Sequence, residues 1–456
     1  MGIKLDWEIE AEQTHVKSAR EDPETKRRRR LARLRLLLFV LGVLAIFGAV
    51  VGFIYLRLEM VEFEIEELLR NTVDAEIAAL RLGDWGAFSI AQRSASGEWL
   101  QKQETLFQEY QTLKLETDVQ LTGRILDLTI DRTRARVAVE EIISGVPYTR
   151  VWFYWRYDDG WRHVPPDYTF WGDVRRFDGQ GVSVRYQAVD APLATSLGPR
   201  LEQWLQVGCA ALSCGTLPVV MVDIVPDEGL QMSWSGNNPW LLQVPSPYIR
   251  RARADMPFDL ELQFSAAGLL AERLVTLATN NLQPAYPADV YHLRQAVISW
   301  LVGRFVQMNT NSFLIGSLAQ NYGETAVGRL LRLMQPDSDV RIFNDAVGAA
   351  SLEQINLDWR DLLTWRLATE DELIRRQDAA NFLALYDTRD PMVRELAYQR
   401  FATAPLELQK VVISAPLEIG ADGTPQIRAV AQVGEDPASR QQILFRLVDG
   451  TWRRAS

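Results

Sequence analysis

Histidine is the residue type that most limits the chemistry open to this chain, because only His15, His163 and His292 occur in 456 residues. A zinc peptidase of the H-E-x-x-H type places two imidazoles on one helix face, and the glutamate between them takes a proton from zinc-bound water. No register of this sequence supplies that pattern. Hydrolysis through such a motif is therefore excluded, and we expect no metal.

Motifs for other catalytic chemistries are absent as well. The sequence has no G-x-S-x-G nucleophile turn, no G-x-x-x-x-G-K-[ST] phosphate loop and no G-x-G-x-x-G fingerprint. One acid–base pair stays open, in which Asp159 or Asp167 would orient His163. We expect no cofactor and no enzyme activity, and the alternative is a metal-independent hydrolase.

Two cysteines, Cys209 and Cys214, lie five residues apart in GCAALSCG. Residues five apart on a continuous helix point to different faces, so a disulfide requires the helix to end near Ser213. Gly215 makes such an end plausible, and the pair would persist as a disulfide outside the cytoplasm. We predict the disulfide, and two buried thiols are the alternative.

Residues 36–56 form an uncharged apolar run of 21 residues. About 20 such residues are needed for a helix to cross the hydrocarbon core of a bilayer. No small-residue cleavage site follows the run, so we predict a retained membrane-spanning helix instead of a signal peptide.

The charges on both sides of this run predict its orientation. Residues 17–35 carry nine Lys or Arg and three acidic residues, whereas residues 57–70 carry two Arg and five Glu. Positive flanks stay in the cytoplasm, so residues 1–35 are expected to form a cytoplasmic basic tail of a single-pass cell-membrane protein. The exported part is acidic, and we expect no nucleic-acid partner.

Periodicity predicts the same order of elements near both ends of the exported part. Residues 58–110 read as helices, and residues 118–164 alternate as strands that close at Asp159-Gly160. Residues 371–402 and 406–456 repeat this order. The matching ends FYWRYDDGWRHV and ILFRLVDGTWRRA favour one duplicated module over two unrelated Asp-Gly hairpins.

Both segments resemble the nuclear-transport-factor-two-like, or SnoaL-like, cone fold, in which helices and a curved sheet enclose an apolar pocket. The resemblance covers residues 58–172 and 370–456. It implies that aromatic side chains line the pocket, although filling an ordinary core is the favoured interpretation. These candidates are Trp85, Phe88, Trp99, Phe107, Phe153, Trp155 and Trp161.

The segment between them, residues 180–368, resembles the gluzincin metallopeptidases of the peptidase MA type, found in multidomain surface proteins of bacteria. Its last third carries the resemblance, with Tyr322-Gly323, Val347-Gly348 and Trp359 following predicted helices. The positions of the zinc ligands and the general base are degenerate, which implies a pseudopeptidase. These positions are Ala271, Glu272, Val275 and Gln295.

The sequence therefore predicts an α+β multidomain protein with a transmembrane helix, a cone-like domain, an inactive gluzincin-like domain and a second cone-like domain. We expect an extracytoplasmic binding or scaffold protein with a protein or peptide partner. An exposed sheet edge would pair with the peptide. The candidate edge strand comprises Trp240, Leu241, Leu242, Gln243 and Val244. The alternatives are a small ligand in a cone pocket, and signalling through a docking helix in the cytoplasmic tail.

Overall fold

The computed structural model describes residues 23–286, 288–310, 312–405, 408–436 and 438–456. The predicted docking helix lies outside the described residues. The chain is mixed α+β and divides into two compact units. The first unit comprises residues 1–108, 130–134 and 154–163, and the second comprises residues 109–129, 135–153 and 164–456.

Twelve α-helices are found in the described part of the chain. They are α1 Pro23–Leu82, α2 Trp85–Ala91, α3 Gly97–Glu116, α4 Ala191–Leu212, α5 Leu260–Ala278, α6 Asp289–Val306, α7 Phe313–Tyr322, α8 Glu324–Leu333, α9 Ile342–Val347, α10 Arg360–Arg375, α11 Ala379–Ala384 and α12 Pro391–Phe401.

Fifteen strands accompany these helices within the same ranges. They are β1 Val119–Asp131, β2 Arg134–Ile143, β3 Val146–Tyr157, β4 Gly160–Val164, β5 Val174–Asp178, β6 Val182–Gln187, β7 Val220–Val225, β8 Ser233–Trp234, β9 Leu241–Pro245, β10 Ala252–Arg253, β11 Lys410–Ser414, β12 Leu417–Ile419, β13 Pro425–Val433, β14 Arg440–Val448 and β15 Thr451–Arg454.

Helix α1 is one unbroken element of 60 residues. Every residue from 36 to 56 is exposed, and α1 is the one helix of the described residues that is long and apolar enough to cross a membrane. Beyond this run the helix continues until Leu69, Val73 and Leu80 become fully buried. It ends at Leu82, as predicted, because Gly83 takes a left-handed φ of 74°. The apolar run is thus compatible with membrane anchoring.

The strands form three sheets. The first has the order β1-β2-β3-β10 with β4 paired to β3, and the third has the order β11-β13-β14-β15 with β12 paired to β13. Both sheets end in the predicted hairpins, at Asp159-Gly160 and Asp449-Gly450. The left-handed φ values of Asp449 and Gly450, 51° and 78°, suit a tight two-residue turn.

The middle sheet has the order β5-β6-β7-β9-β8. Strands β6, β7 and β9 are parallel, with helix α4 connecting β6 to β7, whereas β5 and β8 are antiparallel to their neighbours. The predicted peptide-binding strand is β9, and the prediction that it forms an edge is wrong. Strand β8 covers its outer side, because Ser233 and Trp234 pair with Gln243 and Leu242.

The segments 58–172 and 370–456 contain equivalent packed pairs of side chains. A constant offset of 294 positions relates Phe88 to Phe382 and Phe107 to Phe401. The ring centroids of Phe88 and Phe107 lie 5.4 Å apart, and those of Phe382 and Phe401 lie 5.1 Å apart. Asp84 and Asp378 obey the same offset, and each carboxylate accepts a hydrogen bond from the backbone three residues later. The helical halves of the two segments therefore have the same local architecture.

Two predicted boundaries lie within or beside elements that continue across them. The boundary at residues 368–370 lies within α10, because this helix buries Leu363 and Leu367 as well as Leu373. The sheet of the middle segment starts before residue 180, since β5 pairs with β6. Helix α10 and strand β5 thus connect stretches that the predicted order of elements assigns to different segments or to none.

Candidate functional site

Helix α5 presents the degenerate peptidase positions. Ala271 and Val275 are four residues apart, face the same way and are fully buried. Glu272 is turned from that face, with 57% of its side chain exposed, and its carboxylate lies 3.9 Å from the guanidinium of Arg294 on α6. Gln295, the next residue on α6, is half-buried. These side chains offer no set of metal ligands.

No group of three or more His, Cys, Asp or Glu residues that could hold a metal occurs in the described ranges. The contacts of His292 are those of a structural residue in the core. Its ring stacks on Trp365 at 6.0 Å, and its Nε2 lies 3.2 Å from the Thr369 hydroxyl. Burial and the nearby charge of Arg366 lower the pKa of His292 to about 4, so the imidazole is neutral at pH 7.

The two cysteines are free thiols, so the predicted disulfide is not formed in this structure. The backbone condition for it is met, because α4 ends at Leu212 and Ser213 takes a left-handed φ of 56°. A hydrogen bond joins the two thiols, and it raises the pKa of Cys209 while it lowers that of Cys214. The sulfurs are thus neighbours, and the disulfide stays a prediction for an oxidising compartment.

Most of the predicted pocket aromatics are packed side chains. Phe88, Phe107, Phe153 and Trp161 are at most 3% exposed. Trp85 packs on Phe107 at 5.4 Å in an edge-to-face arrangement, and Phe153 stacks on Trp171 at 5.7 Å. Trp155 differs, because 46% of its surface is exposed.

A buried polar cluster in the first unit was missed by sequence reasoning. Its centre is the carboxylate of Glu76 on α1, which is 1% exposed. Tyr154 Oη donates to Oε2 at 2.8 Å, Gln92 Nε2 donates to Oε1 at 2.7 Å, and His163 Nδ1 lies 2.6 Å from Oε1. His163 is thus held by Glu76, a partner that the sequence did not suggest. Asp159 pairs with Arg93 and Arg162.

The electrostatics of this cluster favour a protonated tyrosine. Burial raises the pKa of Tyr154 well above its usual value, and the charge of Glu76 and the hydrogen bond to it act in the same direction. The hydroxyl of Tyr154 therefore stays protonated at neutral pH and can donate to Glu76. The sequence did contain a pattern that could have identified Glu76 as a buried residue. This glutamate lies between Val73 and Leu80 on the stripe of α1 that faces the core.

The C-terminal segment repeats this arrangement with a different charge balance. Glu370 lies 16 residues before Tyr386, as Glu76 lies 16 residues before Gln92. Its Oε2 accepts from Tyr386 Oη at 3.2 Å and from Arg454 Nη1 at 3.0 Å. Arg454 forms a backbone bridge with Tyr386, and His163 forms the same bridge with Gln92. An arginine thus compensates the buried carboxylate where the first segment has a histidine.

Comparison of this chain with known protein families, curated proteins and solved structures finds no match. The functional argument therefore depends on the chemistry of the residues described above.

Proposed function

We propose that this chain is a membrane-anchored binding or scaffold protein whose folded part lies outside the cytoplasm. It would be built on a gluzincin-like fold without zinc ligands, flanked by two SnoaL-like modules. The observation that carries the proposal is the continuity of α1, which runs without a break from the exposed apolar run to the buried residues Leu69 and Leu80. A helix without a hinge tethers the folded part directly to the bilayer.

The charge of α1 supports the orientation. Its exposed first turns contain the basic run 27–30, whereas Glu59, Glu62 and Glu64 follow the apolar run. Basic flanks are retained on the cytoplasmic side, so the modules lie on the other side.

The packing of α5 supports the absence of peptidase activity. A catalytic zinc needs three protein ligands and an open position for water. Ala271 and Val275 instead place two apolar side chains in a closed helix face, and the half-buried Gln295 cannot supply a carboxylate. The fold would then serve for recognition.

We propose β8, instead of β9, as the surface that binds an extended peptide. The free edge next to α5 is β8, since Trp234 Nε1 donates to the Leu269 carbonyl at 3.2 Å and Arg273 lies over the Trp234 ring at 5.0 Å. A peptide that adds a strand to this sheet would therefore pair with β8 and not with β9.

Two experiments test the proposal on the full chain in its native membrane. Protease added to intact spheroplasts should remove an epitope fused after Ser456, and protection of that epitope contradicts the orientation. A photo-crosslinking residue at Ser233 should give a discrete protein adduct, whereas the same residue at the exposed turn position Asp422 should give none. Equal labelling from both positions, or none from Ser233, contradicts peptide binding at β8.

A further inference from the structure

A cleft with a volume of about 520 Å³ opens to solvent on the second unit. Three parts of the chain line it, namely the second half of α7, the loop that leads into α10, and the connection between β11 and β12. None of its described lining residues belongs to β8 or α5. The cleft is therefore separate from the surface proposed above for a peptide.

Hydrogen bonds hold the loop before α10 against α7. Ser317 Oγ accepts from the backbone N–H of Asp358 at 2.9 Å, and Asn321 Nδ2 donates to the carbonyl of Asn356 at 2.7 Å. Ser317 and Asn321 are four residues apart and lie on the same face of the helix. The two elements are thus fixed to each other before a ligand binds, which lowers the entropy cost of binding.

The charged groups of the cleft neutralise each other. Asp358 and Arg360 are the charged residues among the described residues that line it. Arg360 Nε donates to Oδ1 of Asp358 at 3.0 Å, and Nη2 donates to Oδ2 at 2.7 Å. The guanidinium also lies 3.7 Å from the ring centroid of Phe313. An ionic ligand would have to displace one member of this bidentate pair, so the cleft favours an uncharged ligand.

The other polar side chains that line the described cleft are amides and hydroxyls. Gln320, Asn321 and Asn356 carry amides, and Ser414 carries a hydroxyl. An amide both donates and accepts hydrogen bonds, and so does a hydroxyl. The hydroxyls of a sugar ring match these groups in both roles, and the C–H face of the ring can pack on an apolar side chain such as Ile413. This combination fits a carbohydrate.

The wall formed by β11 and β12 does not suit a peptide that adds a strand. The N–H of Val412 already donates to Thr364 Oγ1 at 2.9 Å, and the pairing of β11 with β13 shifts register between Val412 and Ser414. Pro416 has no N–H to donate. Strand addition needs a regular row of backbone donors and acceptors, so recognition here depends on side chains.

We propose that this cleft binds an uncharged oligosaccharide through the amides of Gln320, Asn321 and Asn356 and the hydroxyl of Ser414. The volume lies within the range of roughly 300–1,000 Å³ that is usual for sites of small ligands. Because the cleft opens to solvent, a longer sugar chain can continue beyond it. The site does not involve β8, so its failure would leave the proposed scaffold function intact.

The test uses the full chain, labelled with a fluorophore at its N-terminus, in micelles of a detergent without a sugar headgroup. The probes are immobilised uncharged oligosaccharides, acidic oligosaccharides and uncharged tetrapeptides on one array. At least one uncharged oligosaccharide should bind the chain, and the same oligosaccharide free in solution should compete. No binding to uncharged oligosaccharides, or equal binding to the acidic oligosaccharides or the tetrapeptides, overturns the proposal.

Two variants test the position of the site. Gln320→Ala removes an exposed amide and should weaken binding of that oligosaccharide by about three- to tenfold, the effect of one neutral hydrogen bond. Ser414→Trp places a large ring at the exposed wall and should abolish binding. Gln399→Ala removes an exposed amide from α12, outside the cleft, and is the matched control that should leave binding unchanged.

Hydrogen exchange shows whether these variants are folded. Unchanged protection of the amides of α10, which follows the cleft loop, would show that the loop still packs as in the unmodified chain. Unchanged oligosaccharide binding in either folded cleft variant, or an equal loss in Gln399→Ala, overturns the assignment.

Discussion

The hydrogen bond between Tyr154 and Glu76 gives a quantitative test of the buried cluster. Both side chains are at most 1% exposed, and the donor and acceptor oxygens lie 2.8 Å apart. Tyr154→Phe removes one oxygen and leaves the ring in place. A hydrogen bond to a charged group contributes about 1.5–3 kcal/mol, so the substitution should lower the local unfolding free energy by about that amount.

Native-state hydrogen exchange of the full chain in micelles measures this loss where it occurs. Exchange of the amides at residues 69–80 in α1 should become roughly 10- to 150-fold faster, since each tenfold corresponds to about 1.4 kcal/mol. Tyr386→Phe is the counterpart in the C-terminal segment. Its hydroxyl is 3.2 Å from Glu370, which also accepts from Arg454, so residues 363–374 should lose only about 0.5–1.5 kcal/mol.

The reasoning is refuted if Tyr154→Phe changes the exchange free energy of residues 69–80 by less than about 0.5 kcal/mol. It is also refuted if that variant loosens residues 363–374 to the same extent. The first result would show that the hydroxyl contributes no net stability, and the second would show that the effect is global.

Three further predictions concern the second unit. If α5 and α6 derive from a gluzincin fold, the triple variant Ala271→His, Val275→His and Gln295→Glu should retain near-stoichiometric zinc after dialysis. Near-stoichiometric zinc in the unmodified chain, or no zinc in the variant, contradicts the assignment. Cys209 and Cys214 should become bridged in the exported protein, because their thiols already contact each other; two labelled thiols in the denatured, unreduced protein would count against this. Burial raises the pKa of Asp190 from 3.8 to about 6. Between these pH values the folded state binds a proton that the unfolded state has released, so the free energy of unfolding should fall as the pH rises from about 4 to 6. Asp190→Asn should flatten this part of the profile in urea titrations, and an unchanged slope would show that Asp190 does not cause it.

Local sequence patterns predicted the helices and strands of this fold better than they predicted which of them pair or pack with each other. The apolar run and the Asp-Gly turns are signals within a few residues, and the structure has the helix and the hairpins there. The pairing of β8 with the outer side of β9 was not predictable, because β8 has only two residues and no strand pattern. The partner of His163 was also missed, since Glu76 is 87 residues away and nothing local relates them.

The continuity of α10 was missed for a related physical reason. Separate helical stretches were predicted on the two sides of residue 370, but the buried face of α10 continues through Leu367 to Leu373, so one helix spans this position. The internal repeat was visible in the closing hairpins alone. Its extension to Asp84, Phe88 and Phe107 became apparent only when the equivalent contacts could be compared.

If the apolar run of α1 spans a bilayer, the unbroken helix fixes how the rest of the first unit is rotated about the helix axis relative to that bilayer. Residues 57–64 are exposed on all sides, and at about 1.5 Å per residue they form a rod of roughly 12 Å between the apolar run and the buried part of the helix. Each residue of an α-helix also turns the chain by about 100°. Removing one residue from this rod would rotate the face that carries Glu76 by about 100° around the helix axis and lower it by about 1.5 Å. In a membrane-anchored chain, the length of this exposed stretch would therefore determine which side of the first unit faces other proteins in the plane of the membrane.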